Sequence, residues 1–203
     1  MKKEKKPTQV QLTDKKVEEA LSYTVEVRDK KGQVLQRISA PSRSYVEQWN
    51  QLINIQAKQS AAAGLIDTGG IVRSISPDLR TFGINALAGN ILKGIRVGKG
   101  FTAVAIDDYA LETPLGEGVG VDEFNHQAMT HTPPAVVGTT CSFPIKRILL
   151  NNSGATISDI REISCYIGGQ NMYFLGFRDV LPGAVAVPDG GSITVTYTIA
   201  ATV

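Results

Sequence analysis

The clearest hydrophobic pattern in the chain is a strict alternation close to its C-terminus. Over residues 193–199 apolar side chains alternate with hydroxyl side chains, as Ile193, Val195, Tyr197 and Ile199 against Thr194, Thr196 and Thr198. A period of two places the first set on one face of a β-strand and the second set on the other. The alternation therefore predicts a strand in the interior of a sheet, with its apolar face buried.

The segment before this strand predicts a reversal of the chain. The sequence Pro188-Asp189-Gly190-Gly191 supplies the fixed φ and the positive-φ positions that a tight turn needs, and the apolar residues 185–187 precede it. Together with residues 193–199, these features predict a β-hairpin.

Three further strands are predicted upstream, over residues 141–150, 157–167 and 172–181. The first carries Phe143, Ile145 and Leu149 on one side, and the second carries Ile163, Cys165 and Ile167 opposite Glu162, Ser164 and Tyr166. Turn-forming residues at 151–154 and 168–171 separate the three segments. A meander of about five strands at short spacing predicts an antiparallel sandwich or barrel.

The N-terminal half predicts a second hairpin and one helix. Residues 23–28 alternate, residues 29–32 form a turn, and residues 34–38 complete the hairpin. In the helix that follows, Ser44 and Glu47 fit a capping box, and Gly64 offers a C-cap. The residues at helical spacing are Tyr45, Trp49, Leu52, Ile53 and Ala57. The only tryptophan lies on this apolar stripe, which favours core packing over a ligand platform.

Between the helix and the C-terminal strands the pattern is weaker. Residues 65–90 predict a loop with one strand at 71–75, and residues 95–97 predict another short strand. Residues 107–111 suggest a helical turn. The stretch 115–134 contains Gly, Asp and Pro, which predicts a long excursion on the surface.

These elements predict a mainly β protein. It is an antiparallel β-sandwich or barrel-like domain with one amphipathic helix in the N-terminal half and an extended basic N-terminal arm. The arm covers residues 1–19, the hairpin and helix cover 20–64, and the sandwich covers 65–203, the last two forming one domain. Because the arm is polar and rich in lysine, we expect neighbouring subunits to order it during assembly.

Composition narrows the classes of function. The chain has 203 residues and a formal net charge of +2, and its positive excess lies in the first six residues. Without basic stripes and interleaved aromatic residues, nucleic-acid binding is not expected. No apolar run has the length of a membrane span, and no signal peptide is indicated. Cys141 and Cys165 are predicted to be free, buried thiols in strands.

The glycine-rich segments do not match nucleotide-binding motifs. Residues 94–100, Gly-Ile-Arg-Val-Gly-Lys-Gly, have their glycines one residue too close for a phosphate-binding loop, and Gly100 stands where Ser or Thr is required. Residues 116–120 lack the spacing of a dinucleotide fingerprint. A flexible loop is the expectation for residues 116–120.

The titratable residues likewise predict no active site. His126 and His131 stand five apart near Asp122 and Glu123, a spacing that places the imidazoles on different faces of a helix or strand. Asp107, Asp108 and Glu112 lack the dense spacing of a calcium loop, so solvated or capping carboxylates are expected. We therefore expect no enzyme activity, no metal and no cofactor.

Three sequence blocks carry a resemblance to a known group of proteins. They are Gly94 to Glu112 (GIRVGKGFTAVAIDDYALE), Asn151 to Ile157 (NNSGATI), and Arg178 to Ile199 with its RDVL and VPDGGSITVTYTI segments. In these blocks the chain resembles tailed-bacteriophage virion proteins, and the hairpin and helix at 23–55 are similar to the same group. The resemblance implies a structural role in the tail or its accessories. It implies no functional residue set.

The resemblance leads to one expected function and two alternatives. We expect a structural component of the tail, neck or tail accessories, present in the virion and assembled in the bacterial cytoplasm. Its partners would be itself, in a ring or trimer, and other virion proteins. The first alternative is a capsid decoration protein. The second is a glycan-binding module of a receptor-binding fibre, in which Tyr109, Tyr166 and Tyr173 supply ring faces to a host-surface glycan.

Overall fold

The computed structural model describes residues 18–42 and 44–202. They form one α-helix, α1 (Glu47–Lys58), and thirteen β-strands. The strands are β1 (Glu18–Arg28), β2 (Val34–Ser42), β3 (Ala62–Ile66), β4 (Val72–Ile75), β5 (Gly94–Gly98), β6 (Gly116–Glu117), β7 (Glu123–His126), β8 (Thr130–His131), β9 (Ala135–Val137), β10 (Thr140–Leu150), β11 (Ile157–Gly169), β12 (Met172–Val187) and β13 (Ser192–Thr202).

The strands form two packed sheets and a separate hairpin. The large sheet has eight strands in the order β2-β1-β13-β10-β7-β6, with β8 and β9 also paired to β10. The small sheet has the order β12-β11-β5, and β3 pairs with β4. All of these pairs are antiparallel except the short pairing of β6 with β7. The prediction of a mainly β, sandwich-like fold of packed antiparallel sheets with one helix is confirmed.

The strand predicted from the C-terminal alternation lies inside the large sheet, between β1 and β10. Ile193, Val195 and Tyr197 are fully buried, and the threonines between them are partly exposed. Ile199 is only partly buried. The ring of Tyr197 lies 4.6 Å from that of Phe177 on β12, so this strand carries the contact between the two sheets.

The predicted hairpin around Pro188 is wrong. β12 pairs with β11 in the small sheet, whereas β13 pairs with β1 and β10 in the large sheet. The turn therefore leads from one sheet to the other. Its residues specify that the chain reverses, but the partner of each strand is set by contacts that are distant in sequence. The predicted meander of about five strands is wrong for the same reason, because the consecutive strands β12 and β13 lie in different sheets.

The helix is present, but both predicted ends are wrong. Val46 occupies the N-cap and has no polar side chain with which to cap the helix, whereas the hydroxyl of Ser44 is bonded to that of Ser42. The helix ends at Lys58, its C-cap is Gln59 in the left-handed conformation, and Gly64 lies inside β3. Trp49 is buried and its ring packs against those of Tyr45, Phe82 and Phe177, which confirms core packing.

The weakly patterned middle of the chain differs from its prediction in three places. The segment 65–90 contains the end of β3 as well as β4, and these two strands pair as a hairpin, so it includes parts of two strands instead of one. Residues 107–111 contain no helix, and the N–H of Asp108 closes a turn on the carbonyl of Ala105. The stretch 115–134 contains β6, β7 and β8 and buries Leu115 and Phe124, so it is not a surface excursion throughout. The short strand at 95–97 is confirmed as β5.

The predicted arm lies outside the described residues up to residue 17, and β1 begins at Glu18, so the strand overlaps the end of the predicted arm. β1 and β2 belong to the same sheet as β10 and β13. Both cysteines are free, but only Cys165 is buried. Cys141 is exposed because it lies near the end of β10, opposite the exposed Val136 of β9. Within the described part of the chain, no helix is long and apolar enough to cross a membrane.

Candidate functional site

One loop covers the outer face of the small sheet, the face turned away from the large sheet. We call this loop, residues 99–113, the strap. It leaves the end of β5 and returns beside it: the N–H of Lys99 donates to the carbonyl of Thr113 at 2.9 Å, and the N–H of Leu115 donates to Val97. A loop whose two ends meet in this way is an Ω-loop, a class that is often functional.

The strap is anchored by the carboxylate of Glu162 on β11, which is fully buried. Its Oε1 accepts hydrogen bonds from the N–H groups of Gly100 (3.0 Å) and Thr113 (2.8 Å), and its Oε2 accepts one from Glu112 (3.1 Å). A Cβ atom at Gly98 or Gly100 would collide with this carboxylate. The two glycines are therefore required so that the strap can approach Glu162 closely.

Arg178 on β12 lies beside Glu162 and binds the same loop. Its Nε lies 2.8 Å from Glu162 Oε2, its Nη1 lies 3.0 Å from Asp108 Oδ2, and its Nη2 lies 3.5 Å from Glu112 Oε2. Burial disfavours the charged guanidinium, but the hydrogen bonds and charges of Glu162 and Asp108 outweigh burial and raise the pKa of Arg178. One buried cation thus joins three carboxylates.

The same carboxylates fix the course of the strap. Glu112 Oε2 accepts the N–H groups of Phe101 and Thr102, both at 3.0 Å, and these hydrogen bonds lower the pKa of the Glu112 carboxyl. Asp108 Oδ2 accepts the N–H of Ala105 at 3.1 Å. The hydroxyl of Tyr166 on β11 accepts the N–H of Leu111 at 2.8 Å. Both legs of the strap are therefore held by side chains.

Between the strap and Arg178 lies an open cavity of about 420 Å³. Its lining is mostly polar and includes Thr102, Asp107, Asp108, Tyr109, Glu112 and Arg178. Tyr109 is 44% exposed, and its ring borders the turn at Gly70. A cavity of this size can hold a small organic molecule.

The tip of the strap, residues 101–106, is exposed along its whole length. Phe101 is 71% exposed and Ile106 is 66% exposed, and Val104 lies between them. We call these three side chains the apolar tip. Because the loop beneath them is fastened to the sheet, the apolar tip is held out in water by a fixed backbone.

Of the three acidic residues considered together in the sequence, Asp107, Asp108 and Glu112, the structure brings two together. Asp108 and Glu112 meet at Arg178, whereas Asp107 is exposed on the wall of the cavity. Of the three tyrosines proposed as glycan-binding rings, Tyr109 faces solvent, Tyr173 is partly buried, and Tyr166 is buried and bonded to the strap. Tyr166 is thus unavailable as an exposed ring face.

The two histidines lie apart and in different environments. His126 is buried, and its Nδ1 lies 2.7 Å from Glu117 Oε2; burial above all, with the charge of Arg147, lowers the pKa of this imidazole to about 4. His131 is exposed on β8. Asp122 forms an ion pair with Lys99 at 2.6 Å. In residues 18–42 and 44–202 no three His, Cys, Asp or Glu side chains are grouped to hold a metal ion.

The glycine-rich segments have structural roles. Residues 94–98 form β5, a fully buried strand, and not a loop. Gly116 begins β6, and Gly118 and Gly120 lie against the carboxylate of Glu123, which accepts the N–H of Gly120 at 2.8 Å. This hydrogen bond fastens the segment for which a flexible loop was expected.

Sequence reasoning missed the residues that organise the site. Glu162 and Arg178 are charged residues within β11 and β12, and a charge inside a strand was the available signal. Arg147 on β10 gives the same signal in the core. It is fully buried and donates to five carbonyl groups, those of Leu87, Asn90, Lys93, Ile95 and Gln127. Burial above all lowers the pKa of Arg147 to about 10.

Comparison with known proteins identifies no relative. No family model matches the chain, and neither the curated proteins nor the solved structures contain a significant match.

Proposed function

We propose that the protein is a structural component of a tailed-bacteriophage virion, in the tail, neck or tail accessories. It acts through contacts between subunits. The proposal rests on the sequence resemblance described above and on the apolar tip of the strap.

The apolar tip is the observation that carries the proposal. Single exposed apolar side chains are common on protein surfaces and need no explanation. Here Phe101, Val104 and Ile106 project from one short loop whose backbone is anchored by Glu162. A fixed, exposed apolar group is typical of a surface that another protein covers. Pre-ordering of the loop also reduces the entropy that association costs.

The resemblance blocks support the same view. The block at residues 94–112 comprises β5 and most of the strap, and the block that begins at Arg178 supplies the cation that binds it. Two blocks that are distant in sequence therefore meet at one surface feature. A structural part of a virion needs such a rigid surface, whereas it needs no catalytic group.

The partner of this surface is a second copy of the chain in the proposed assembly. Identical subunits usually form closed symmetric oligomers, so a ring or a trimer is expected. The protein would assemble in the bacterial cytoplasm and remain in the finished virion, in contact with other virion proteins.

The oligomer can be tested with a double variant of the apolar tip. Phe101→Ser with Ile106→Ser removes apolar surface that is already exposed, so the thermal midpoint should change little. Mass photometry should show an oligomer for the unchanged chain and a monomer for the double variant. Leu79→Ser is the matched control, because Leu79 is 106% exposed and lies outside the strap. A monomeric unchanged chain, or a double variant that still assembles, contradicts the proposed contact.

The place in the virion needs a separate measurement. Mass spectrometry of purified particles should detect the protein, and electron-microscopy reconstruction should locate it in the tail or neck. Density on the capsid exterior would favour a decoration protein instead. Absence from purified particles would overturn the virion role.

A further inference from the structure

The cavity beneath the strap contains a hydrogen-bond donor that lacks an acceptor. Arg178 is 2% exposed, and its Nη2 makes no hydrogen bond within the described part of the chain. One carboxylate oxygen, Glu112 Oε2, is 3.5 Å away and already accepts two backbone N–H groups. A buried, unsatisfied donor is energetically unfavourable, which favours a ligand that supplies an acceptor.

The other polar groups of the cavity are mainly acceptors. Asp107, Asp108 and Glu112 contribute carboxylates to its wall, and Asp107 forms no ion pair with any described residue. Thr102, the ring of Tyr109, Ala110 and Leu111 complete the lining. The site therefore offers one N–H donor and several carboxylate acceptors next to an accessible aromatic ring.

These features select among ligand chemistries. An anion would satisfy Arg178 but would meet three carboxylates, and an ammonium group can donate to the carboxylates but cannot accept from the guanidinium. A pair of neighbouring hydroxyl groups does both, because each hydroxyl donates one hydrogen bond and accepts others. The apolar face of a sugar ring can also pack on an exposed aromatic side chain such as Tyr109.

We propose that this cavity binds a neutral carbohydrate through a vicinal diol, with Arg178 donating to one hydroxyl, the carboxylates accepting from the pair, and Tyr109 contacting the ring. Its volume of about 420 Å³ suits one or two sugar units. The inference stands on the cavity and does not depend on a role in a virion.

Saturation-transfer NMR on the full chain tests the proposal. The probes are the methyl glycosides of glucose, galactose, mannose and rhamnose, and the control compound is 2-(hydroxymethyl)tetrahydropyran, which has the ring without the vicinal diol. We expect transfer to at least one glycoside and none to the control compound. Sodium sulfate and putrescine, added as competitors, should not displace the glycoside.

Two variants locate the binding. Asp107→Asn and Tyr109→Ala change cavity groups that do not anchor the strap, and each should weaken binding about tenfold, equivalent to about 1.4 kcal/mol. Asp159→Asn is the matched control, since Asp159 is exposed on β11 outside the cavity. No transfer from any glycoside, or equal binding by all three variants, would show that the cavity holds water only. Displacement by putrescine would show a cation site and overturn the proposal.

Discussion

The Nε of Arg178 donates to the Oε2 of Glu162 at 2.8 Å, and neither side chain is more than 3% exposed. The pair joins β12 to β11 on the outer face of the small sheet. The same carboxylate accepts three backbone N–H groups of the strap. One buried ion pair therefore couples the core of the sheet to the surface loop above it.

Replacement of Glu162 by Gln should destabilise the protein by about 3–5 kcal/mol, because Arg178 loses the only fully buried of its three carboxylate partners and the new amide N–H₂ faces hydrogen-bond donors. Urea denaturation would measure the loss of unfolding free energy. Hydrogen exchange should accelerate among the amides of Gly100, Glu112 and Thr113, because the glutamine side chain keeps only one of the two acceptor oxygens.

Asp159→Asn is the matched control for this experiment. Asp159 lies on the same strand, and its side chain is 63% exposed beside Arg161. An exposed pair of this kind contributes little to stability. A loss in Glu162→Gln no larger than in the control would show that the pair does not hold the strap.

Arg147 should be as important to the core as Glu162 is to the strap. Arg147→Met removes donors to five carbonyl groups and should cost more than about 3 kcal/mol. Arg147→Lys should retain part of the stability that Arg147→Met loses, since an ammonium group has three donors. Lys146→Met, on the opposite face of β10, should change little. Equal midpoints for Arg147→Met and Lys146→Met would contradict the role given to Arg147.

The apolar face of β13 can be tested by a pair of aspartates. Val195 is fully buried, so Val195→Asp buries an unpaired carboxylate and should cost several kcal/mol. Thr196→Asp places the same group on the opposite face of the strand, next to Lys146, its register partner on β10. Thermal midpoints should therefore separate the two variants. Equal stability would mean that the alternation does not define the buried face.

The sequence predicted the strands better than their partners. The alternation in β13 and β1 records which face is buried, and that information is local. The pairing of Val195 with Val25 joins opposite ends of the chain, and no local pattern encodes it. The turn at Pro188 was recognised correctly as a reversal, yet a reversal between sheets and one within a hairpin use the same turn residues.

The candidate site was harder to predict for a related reason. Asp108 and Glu112 were recognised as a group of acids, but their partner Arg178 lies on β12 and their common anchor Glu162 lies on β11. A charged residue inside a strand needs a partner if it is buried. It does not identify the partner. Only the fold shows that these residues meet beneath the strap.

His126 gives the protein a predicted pH dependence. Its Nδ1 lies near two acceptors, Glu117 Oε2 and the carbonyl of Phe124, so Nδ1 carries the proton of the neutral ring. Nε2 is buried without a hydrogen-bond partner among the described residues. Protonation there would place a charge in the core, where Arg147 and Arg96 oppose it and Glu117 favours it. The pKa of His126 in the folded protein is consequently lowered from 6.5 to about 4.

The sign of the effect follows from proton binding in the two states. Between pH 6.5 and about 4 the unfolded chain binds a proton at His126 and the folded protein does not, so stability falls as pH falls through this window. The slope approaches about 1.4 kcal/mol per pH unit. Asp179 has the opposite effect on stability. Burial raises the pKa of its carboxyl, so the folded protein binds this proton more readily than the unfolded chain and gains stability as pH falls. Other groups therefore contribute to the total slope, and a variant is needed to isolate His126.

His126→Asn removes the titrating ring and keeps a neutral N–H donor close to Glu117. Urea denaturation of both proteins at pH 7.5, 6 and 5 gives the difference in unfolding free energy at each pH. The variant should be less stable at pH 7.5, because it leaves a cavity where the ring packed. The difference should shrink toward pH 5, because only the unchanged protein loses stability when its unfolded state binds a proton at His126. A difference that stays constant over this range would show that His126 titrates alike in the folded and unfolded states.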